Sequence, residues 1–243
     1  MIDIHCHILP DFDDGSRCLE ESLDMARMAL DSGVTDVVCT SHFRGNQEGL
    51  DRIGLLLERY RTLERALKEQ RLPLHLHLGS EILLLPQTPR LAARQQLPTY
   101  GNTSYCLVEF YFDAPPAYMT ASLEALTTFG YHPVVAHPER YDAVQANPRL
   151  LESWFRAGDV LHSNKGSVLG GFGPEVQRTV RQLLDMGLIH AIASDAHGST
   201  HRTPDMNELE LTLREEWGSA YTNILLNENP RRVLLGQRMA PIR

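Results

Sequence analysis

Short apolar runs alternate with longer amphipathic segments along most of the chain. Runs of strand length occupy residues 2–7, 36–40, 74–78, 105–111, 133–136, 160–163 and 189–193. Residues 19–32, 51–70, 120–129, 149–157 and 175–186 are predicted to be helices from apolar spacing near about 3.6 residues and closing glycines, and the part from Pro204 onward is predicted to be helical too. About seven strands alternating with helices predict parallel β-α units, which close into a barrel or wind as an open sheet.

The composition fits one globular domain. Of the 243 residues, 42% are hydrophobic and 22% are charged, which are ordinary values for a protein with an apolar core. No linker, repeat or low-complexity stretch divides the chain, so we expect a single domain over residues 1–243. The net charge is −8 without any basic run, which argues against nucleic-acid binding because phosphate contacts need clustered Lys and Arg.

Nothing in the sequence predicts export or membrane insertion. The N-terminus lacks the basic and apolar regions of a signal peptide, and no apolar run approaches the roughly 18–20 residues that span a bilayer. The four cysteines form no Cys-x-x-Cys pair, so neither a zinc knuckle nor a redox motif is indicated. We therefore expect a cytoplasmic protein with free thiols.

Histidines and carboxylates collect where the predicted strands end. His5 and His7 alternate along the first strand and should project on one face of it. Most of the later strands also carry an imidazole or a carboxylate at or near the carboxyl end, namely His42, Glu81, Glu109, His137, Asp195 and His197. Active sites of parallel barrels are built at that rim, whereas randomly placed polar residues would fall on helix faces as often.

The donor types predict a multi-metal site. Imidazoles and carboxylates without thiolates suit Mn, Fe, Zn or Mg, and manganese is our first choice. Eight or nine ligands are too many for one ion and fit two to three divalent ions. Such a centre lowers the pKa of a bound water and neutralises phosphoryl oxygens, so hydrolysis of a phosphate ester is the predicted reaction.

Two arginines lie beside the ligand segments. Arg140 stands in the run His-Pro-Glu-Arg-Tyr that begins at His137, and Arg202 follows His197 by five residues. A guanidinium can bind phosphate oxygens through two parallel hydrogen bonds, so both are candidate catalytic residues that hold the phosphate. A surface salt bridge is the alternative for each.

The cysteine spacing excludes catalysis by a cysteine-dependent tyrosine phosphatase. Such an enzyme needs an arginine six residues after its nucleophile, so that a guanidinium and loop amides surround the phosphate. Six residues after Cys6, Cys18, Cys39 and Cys106 stand Phe12, Asp24, Gly45 and Phe112. Any phosphatase activity must therefore depend on metal ions, and Cys6 is expected to be part of the core.

Six short motifs carry a family resemblance. They are His5-x-His7, Asp14 in Asp-Asp-Gly, the Thr-Ser-His ending at His42, the Gly-Ser-Glu ending at Glu81, the His-Pro-Glu-Arg-Tyr run and the Ala-Ser-Asp-Ala-His ending at His197. In this order, over nearly the whole chain, they resemble the polymerase and histidinol phosphatase (PHP) superfamily. Within it the chain is similar to the metal-dependent protein tyrosine phosphatases of bacterial capsule and exopolysaccharide clusters. The resemblance implies a distorted (β/α)7 TIM-like barrel with a trinuclear metal site.

The resemblance also implies a ligand set. It assigns His5, His7, Glu81 and Asp195 to one metal, Glu81, Glu109 and His137 to a second, and Asp14, His42 and His197 to a third. Arg140 and Arg202 match the family's phosphate-binding arginines, although the residues just before Arg202 depart from the family pattern.

The implied substrate is a phosphotyrosine protein, namely the C-terminal tail of a tyrosine autokinase that controls polysaccharide synthesis. The resemblance leaves a homo-oligomer open. The alternatives are a small-molecule phosphatase such as histidinol phosphatase, and a non-catalytic regulatory module. Asp14 and Glu109 stand where many superfamily members have His, which favours the tyrosine phosphatases.

Several other polar residues are expected to have different roles. His75 and His77 repeat the His-x-His spacing but lie ahead of a strand end, so they are not expected to bind metal. His162 and Asn164 end a strand and could contact substrate, whereas Asp13 is expected to stabilise a turn. The glycine-rich segment 166–173 lacks the Gly-Lys-Ser/Thr of a nucleotide-binding loop and is the best candidate for a mobile loop.

Overall fold

All strands of the computed structural model, which describes residues 1–242, pair in parallel. In chain order they are β1 (Ile2–Cys6), β2 (Asp36–Cys39), β3 (His42–Arg44), β4 (His75–Leu78), β5 (Glu81–Leu83), β6 (Tyr105–Glu109), β7 (His132–Ala136), β8 (Val160–Asn164) and β9 (Ala191–Ala193). They form two sheets, with the orders β1-β2-β4 and β3-β5-β6-β7-β8-β9. The predicted parallel α/β fold is confirmed.

Helices connect the strands, as parallel pairing requires. Within residues 1–242 they are α1 (Leu19–Asp31), α2 (Gln47–Asp51), α3 (Ile53–Glu69), α4 (Thr88–Ala93), α5 (Pro116–Thr128), α6 (Asp142–Ala146), α7 (Leu150–Ala157), α8 (Lys165–Val168), α9 (Pro174–Asp185), α10 (Asn207–Trp217), α11 (Ser219–Asn223) and α12 (Asn229–Leu234). Single turns of 3₁₀ and π helix occupy Pro138–Arg140 and Ile224–Glu228. Across residues 1–242, no helix has the length and apolar character needed to cross a membrane.

Two strand positions are interrupted, which the sequence did not predict. β2 and β3 are separated by Thr40 and Ser41, and β4 and β5 by Gly79 and Ser80. A Cβ at Gly79 would lie 2.8 Å from Cγ1 of Val38, so the neighbouring strand approaches too closely there for any larger residue. When each interrupted pair counts as one position, the strands occupy the seven positions that the sequence indicated.

A β-bulge lies in β1, directly beside the first two predicted ligands. Asp3 pairs with Val37 and Cys6 with Cys39, so two residues of β1 oppose the single residue Val38. Bulges bend a strand and re-aim its side chains, and they are frequent next to active sites. The predicted ligand His5 therefore lies within the bulge.

The apolar core has two parts that follow the alternation of the strands. Val134 and Ala136 of β7 belong to one cluster, whereas Val135 between them belongs to the other, together with helix residues such as Met25 and Leu63. One cluster therefore lies between strands and helices, and the other on the opposite face of the strands.

Hydrogen bonds connect the first strand position with the last. The amide of His7 donates to the carbonyl oxygen of Ala196 at 2.9 Å, and the amide of Asp195 donates to the carbonyl oxygen of His5 at 2.8 Å. These contacts bring both chain segments to one rim. Closure of the strands into a complete (β/α)7 barrel stays a prediction, as does the single domain.

Asp159, at the amino end of β8, should make stability depend on pH. Burial raises its pKa from 3.8 to about 7, and the charge of Glu124 adds to the effect. The folded state binds a proton at the Asp159 carboxyl more tightly than the unfolded chain does. The free energy of unfolding therefore falls as the pH rises from about 4, the ordinary pKa, to about 7, the pKa in the folded state. Asp159→Asn should therefore gain in free energy of unfolding relative to the parent as the pH rises from about 4 to about 7, up to a limit of about 4 kcal/mol, as measured by denaturant unfolding at each pH. A difference that does not change with pH would contradict this.

Candidate metal centre

The nine predicted ligands meet around the carboxyl ends of β1, β2, β4, β6, β7 and β9, since His42 and Glu81, the first residues of β3 and β5, follow β2 and β4. Eight of them lie in a strand or within four residues after one: His5 in β1, His7 after it, His42 in β3, Glu81 in β5, Glu109 in β6, His137 after β7, and Asp195 and His197 after β9. The ninth, Asp14, lies in the loop between β1 and α1. The structure brings all of them together, and metal binding by each stays a prediction.

Glu81 is the centre of the cluster. Its Oε2 lies 3.3 Å from Nε2 of His5, 3.3 Å from Nε2 of His7 and 3.2 Å from Nδ1 of His42. Its Oε1 lies 2.9 Å from Nε2 of His137. One buried carboxylate thus faces four imidazoles, so both of its oxygens would be available to bound cations.

Within residues 1–242, three groups of donor atoms are close enough to share an ion, each with all its atoms within 4.8 Å of one another. They are His7, Asp14, His42 and His197; His5, His7 and Glu81; and His42, Glu81 and Glu109. Asp195 and His137 lie next to these groups. Oδ1 of Asp195 is 3.4 Å from Nε2 of His5, and Nε2 of His137 is 3.9 Å from Oε2 of Glu109.

The charge of the cluster favours cations. Burial opposes protonation of His7, but its hydrogen bonds to Asp13 and Glu81 raise its pKa to about 10. The pKa of His42 is raised to about 11 against the effect of burial, most strongly by Asp14, whose own pKa the same hydrogen bond lowers to about 2. Carboxylates that hold protons on histidines this firmly would also attract divalent cations, which compete for the same nitrogens.

The donor set passes a chemical test for such ions. Nε2 of His5 and Nε2 of His7 face each other at 3.2 Å in a fully buried position, an arrangement that requires a shared proton or a shared cation. Nitrogen and oxygen donors without sulfur suit Mn, Fe, Zn or Mg. The residues therefore fit divalent cations.

Asp13 orients His7 from behind. Its Oδ2 lies 2.9 Å from Nδ1 of His7 and accepts the amide hydrogen of His42 at 2.8 Å, while Oδ1 accepts from the amide of Gly15 at 3.1 Å. A carboxylate on Nδ1 fixes the tautomer that leaves Nε2 free for a metal. Asp13 stabilises the turn, as expected from the sequence, but its contact with His7 was missed.

Asp3 was missed altogether as a supporting residue. It is fully buried, accepts from the amide and hydroxyl of Ser194 at 3.0 and 2.6 Å, and accepts from the amide of His5 at 3.3 Å. It thereby ties the β1 ligands to the segment that carries Asp195. The spacing Asp3-x-His5-x-His7 was the available sequence signal.

The backbone is strained at three predicted site residues. His137, Asp195 and Arg202 have φ angles of +36°, +50° and +48°, in the left-handed region that residues other than glycine rarely adopt. Such strain persists only where the surrounding structure enforces it, and it concentrates at functional sites.

The two predicted phosphate-binding arginines converge on Asp195. Nη1 of Arg140 lies 3.8 Å from its Oδ2, and Nη2 of Arg202 contacts the same oxygen. Both guanidinium groups remain partly open to solvent, with 20% and 33% of the side chain exposed. They flank the predicted ligands, where they could bind an anion that also reaches the metals.

The neighbouring histidines behave differently. His77 pairs with Asp36 at 2.9 Å, and neither it nor His75 joins any of the three donor groups. His162, in β8, is fully buried beside the cluster, with its ring centroid 5.1 Å from that of His5. Asn164 donates from Nδ2 to Oδ2 of Asp195, so it supports a predicted ligand.

Cys6 should be dispensable for catalysis. Its side chain is fully buried in the core, and burial raises the pKa of its thiol well above the usual range. A thiol that stays protonated is a poor nucleophile. Cys6→Ala should cost about 1 kcal/mol of stability and leave kcat unchanged, measured by thermal melting and phosphatase assay. A folded but inactive variant would point to thiol chemistry instead.

The fold and the cluster together define a class of protein, namely parallel α/β proteins with an imidazole–carboxylate centre at the ends of their strands. A family model described as capsular polysaccharide synthesis, CpsB/CapC, matches residues 1–235. The chain belongs to this family, and the family predicted from its motifs is confirmed.

Named relatives share nearly the whole length. The chain is 35% identical over 237 residues to tyrosine-protein phosphatase YwqE of Bacillus subtilis (strain 168), covering 98% of this chain and 92% of the relative. It is 28% identical over 243 residues to tyrosine-protein phosphatase CpsB of Streptococcus pneumoniae, covering 98% and 99%.

Solved structures agree with this. A chain from crystal structures of YwqE from Bacillus subtilis and CpsB from Streptococcus pneumoniae, described as unique metal-dependent tyrosine phosphatases, superposes with a TM-score of 0.88 at 34% identity. The match covers 99% of this chain and 96% of that one. An adenine deaminase from Arthrobacter aurescens, at 12% identity, a TM-score of 0.51 and 97% coverage of both chains, shares the fold alone.

Proposed function

We propose that this protein is a metal-dependent protein tyrosine phosphatase. The observation that carries the proposal is the convergence of imidazoles, carboxylates and two arginines at one rim of the sheets. The phosphotyrosine substrate is supported by the full-length similarity to proteins named tyrosine-protein phosphatases. A non-catalytic module would have no need of a complete donor set.

The ligands for two to three divalent ions, with manganese preferred, would be His5, His7, Asp14, His42, Glu81, Glu109, His137, Asp195 and His197. Ions bound there would neutralise phosphoryl oxygens and acidify a water molecule for attack on phosphorus. Asp13 would keep Nε2 of His7 directed at the cluster, because its carboxylate binds the opposite nitrogen.

Arg140 and Arg202 would be the catalytic residues that bind the phosphate. Their guanidinium groups lie beside Asp195 and can donate parallel hydrogen bonds to phosphate oxygens whose charge grows in the transition state. The leaving group is the phenoxide of tyrosine, whose hydroxyl has a pKa of about 10. Proton transfer to it from a strong acid is therefore helpful but not essential. An Asp or His of the ligand set could supply that proton.

The partner we propose is the C-terminal tail of a tyrosine autokinase that controls polysaccharide synthesis. The description of the family as capsular polysaccharide synthesis supports that setting. The cytoplasmic location and a homo-oligomer stay predictions.

The decisive experiment compares a phosphotyrosine peptide with histidinol phosphate, before and after chelation and after addition of Mn²⁺. We expect chelation to abolish hydrolysis of the peptide, Mn²⁺ to restore it, and histidinol phosphate to be the poorer substrate. Faster hydrolysis of histidinol phosphate would favour the small-molecule phosphatase. Full metal binding without hydrolysis of either substrate would favour a regulatory module.

A further inference from the structure

Two phenylalanine rings enclose the guanidinium of Arg140. Its central carbon lies 4.5 Å from the centroid of the Phe112 ring and 4.4 Å from that of Phe172. A cation between two aromatic faces is attracted by both ring quadrupoles. The rings therefore restrict the orientation of the guanidinium that we propose binds the phosphate.

The glycine-rich segment 166–173 supplies Phe172. A Cβ at Gly166 would lie 2.8 Å from the Phe172 ring, so the ring packs directly on bare backbone there. Gly173, the next residue, has a φ of +94°, which favours glycine. These two glycines allow the Phe172 ring to lie against Arg140. The centroid of the same ring is 5.5 Å from the central guanidinium carbon of Arg202.

Phe112 lies between the cluster and solvent. Its ring centroid is 6.0 Å from that of His137, and its carbonyl oxygen accepts the amide hydrogen of Asp142 at 2.9 Å, which anchors the loop after β6. Even so, 42% of the residue is exposed. An anchored aromatic ring that stays open beside an anion site offers an apolar surface to whatever the anion is attached to.

We propose that the phenyl ring of the substrate packs against Phe112, which makes Phe112 a specificity-determining residue for aryl phosphates over alkyl phosphates. This inference rests on the proposed phosphatase function, because a phosphate held by Arg140 brings the ring on its ester oxygen next to Phe112. Aromatic pairs gain from their ring geometry as well as from buried area, and an alkyl group gains less. Phe172, the second ring in contact with the guanidinium, is a positioning residue for Arg140.

Binding of two phosphonates to the Mn²⁺-loaded protein tests this. Phenylphosphonate and methylphosphonate share one head group and are not hydrolysed, so calorimetry compares the two substituents without any influence of leaving-group reactivity. We expect the parent protein to bind phenylphosphonate about five- to tenfold more tightly. Phe112→Ala should reduce that ratio to below about twofold, whereas Phe112→Trp should retain it.

Two further variants separate recognition from positioning. Phe172→Ala should lower the affinity for both phosphonates by the same factor, because it loosens Arg140 without removing the contact between Phe112 and the aryl group. Leu211→Ala, which truncates an exposed apolar residue on α10, is the matched control and should bind both ligands as the parent does. Thermal melting verifies that each variant is folded.

The proposal is overturned if Phe112→Ala leaves the ratio of the two affinities unchanged, including the case in which it lowers the affinity for both phosphonates equally. Hydrolysis of a phosphotyrosine peptide by the parent protein is measured separately. If the peptide is hydrolysed while the ratio does not respond to Phe112, this inference fails and the proposed function stands. If the peptide is not hydrolysed by the metal-loaded protein, the proposed function itself fails.

Discussion

Replacing His7 with alanine is expected to remove bound metal and activity together. His7 belongs to two of the three donor groups, and its Nε2 lies 3.3 Å from Glu81 and 3.2 Å from His5, so one substitution opens both groups. Loss of a supporting residue behind a ligand already costs about 10–100-fold in metal affinity or activity, so loss of the ligand should exceed about 100-fold in each. Elemental analysis after dialysis and kcat/KM for a phosphotyrosine peptide measure the two effects.

The chain offers a matched control in its second His-x-His pair. His77 pairs with Asp36 at 2.9 Å, is 34% exposed at its side chain and lies outside the donor groups. His77→Ala should therefore retain normal metal content and turnover. A His7→Ala protein that is depleted of metal yet turns over normally would contradict a metal-dependent mechanism.

The positions of the ligands could be predicted because parallel strands end at a common rim. Glu109 is the last residue of β6 and His137 directly follows β7, so their proximity follows from strand order alone. Asp195 and His197 follow β9 for the same reason. The alternation of apolar and polar positions within each segment shows where a strand ends, and this requires no knowledge of the tertiary contacts.

The supporting residues depend on contacts that no local pattern contains. Asp3 bonds to Ser194 at the far end of the chain, and the bulge that separates Asp3 from Cys6 appears only when β1 pairs with β2. The short breaks before β3 and β5 could not be predicted for the same reason. A Thr-Ser or Gly-Ser pair ends a strand in some proteins and only interrupts it in others, depending on the neighbouring strands.

The surroundings of Arg140 show the same limit. Phe112 and Phe172 come from two loops that lie far apart in the sequence and meet only around this guanidinium. The helix predicted over residues 51–70 corresponds to α3, whereas the short helix α2 before it was not predicted. Its start depends on Asn46, whose side chain caps the helix by accepting from the amide of Gly49. Sequence motifs identified the charged groups, whereas the rings and caps that hold them required the folded structure.

Replacing Arg140 with alanine is expected to lower kcat/KM for phosphotyrosine by about 100- to 1,000-fold while metal content stays normal. Removing one donor that stabilises developing negative charge costs about 2.7–4 kcal/mol in the transition state. Arg140 is not itself a predicted ligand, and Nη1 of its guanidinium lies 3.8 Å from Oδ2 of Asp195. The metal analysis therefore distinguishes this variant from His7→Ala.

Arg140→Lys should restore little of the lost activity, because an ammonium is a point charge and cannot reproduce the planar fork that Phe112 and Phe172 enclose. Arg181 is the matched control, since its guanidinium also pairs with a carboxylate, that of Glu216, and also lies over a ring, 5.6 Å from the centroid of Trp217. Arg181→Ala should keep full turnover. If Arg140→Ala is as active as the parent protein, the guanidinium does not bind the reacting phosphate; if Lys restores full activity, charge alone is sufficient and the enclosing rings serve only to pack the loop.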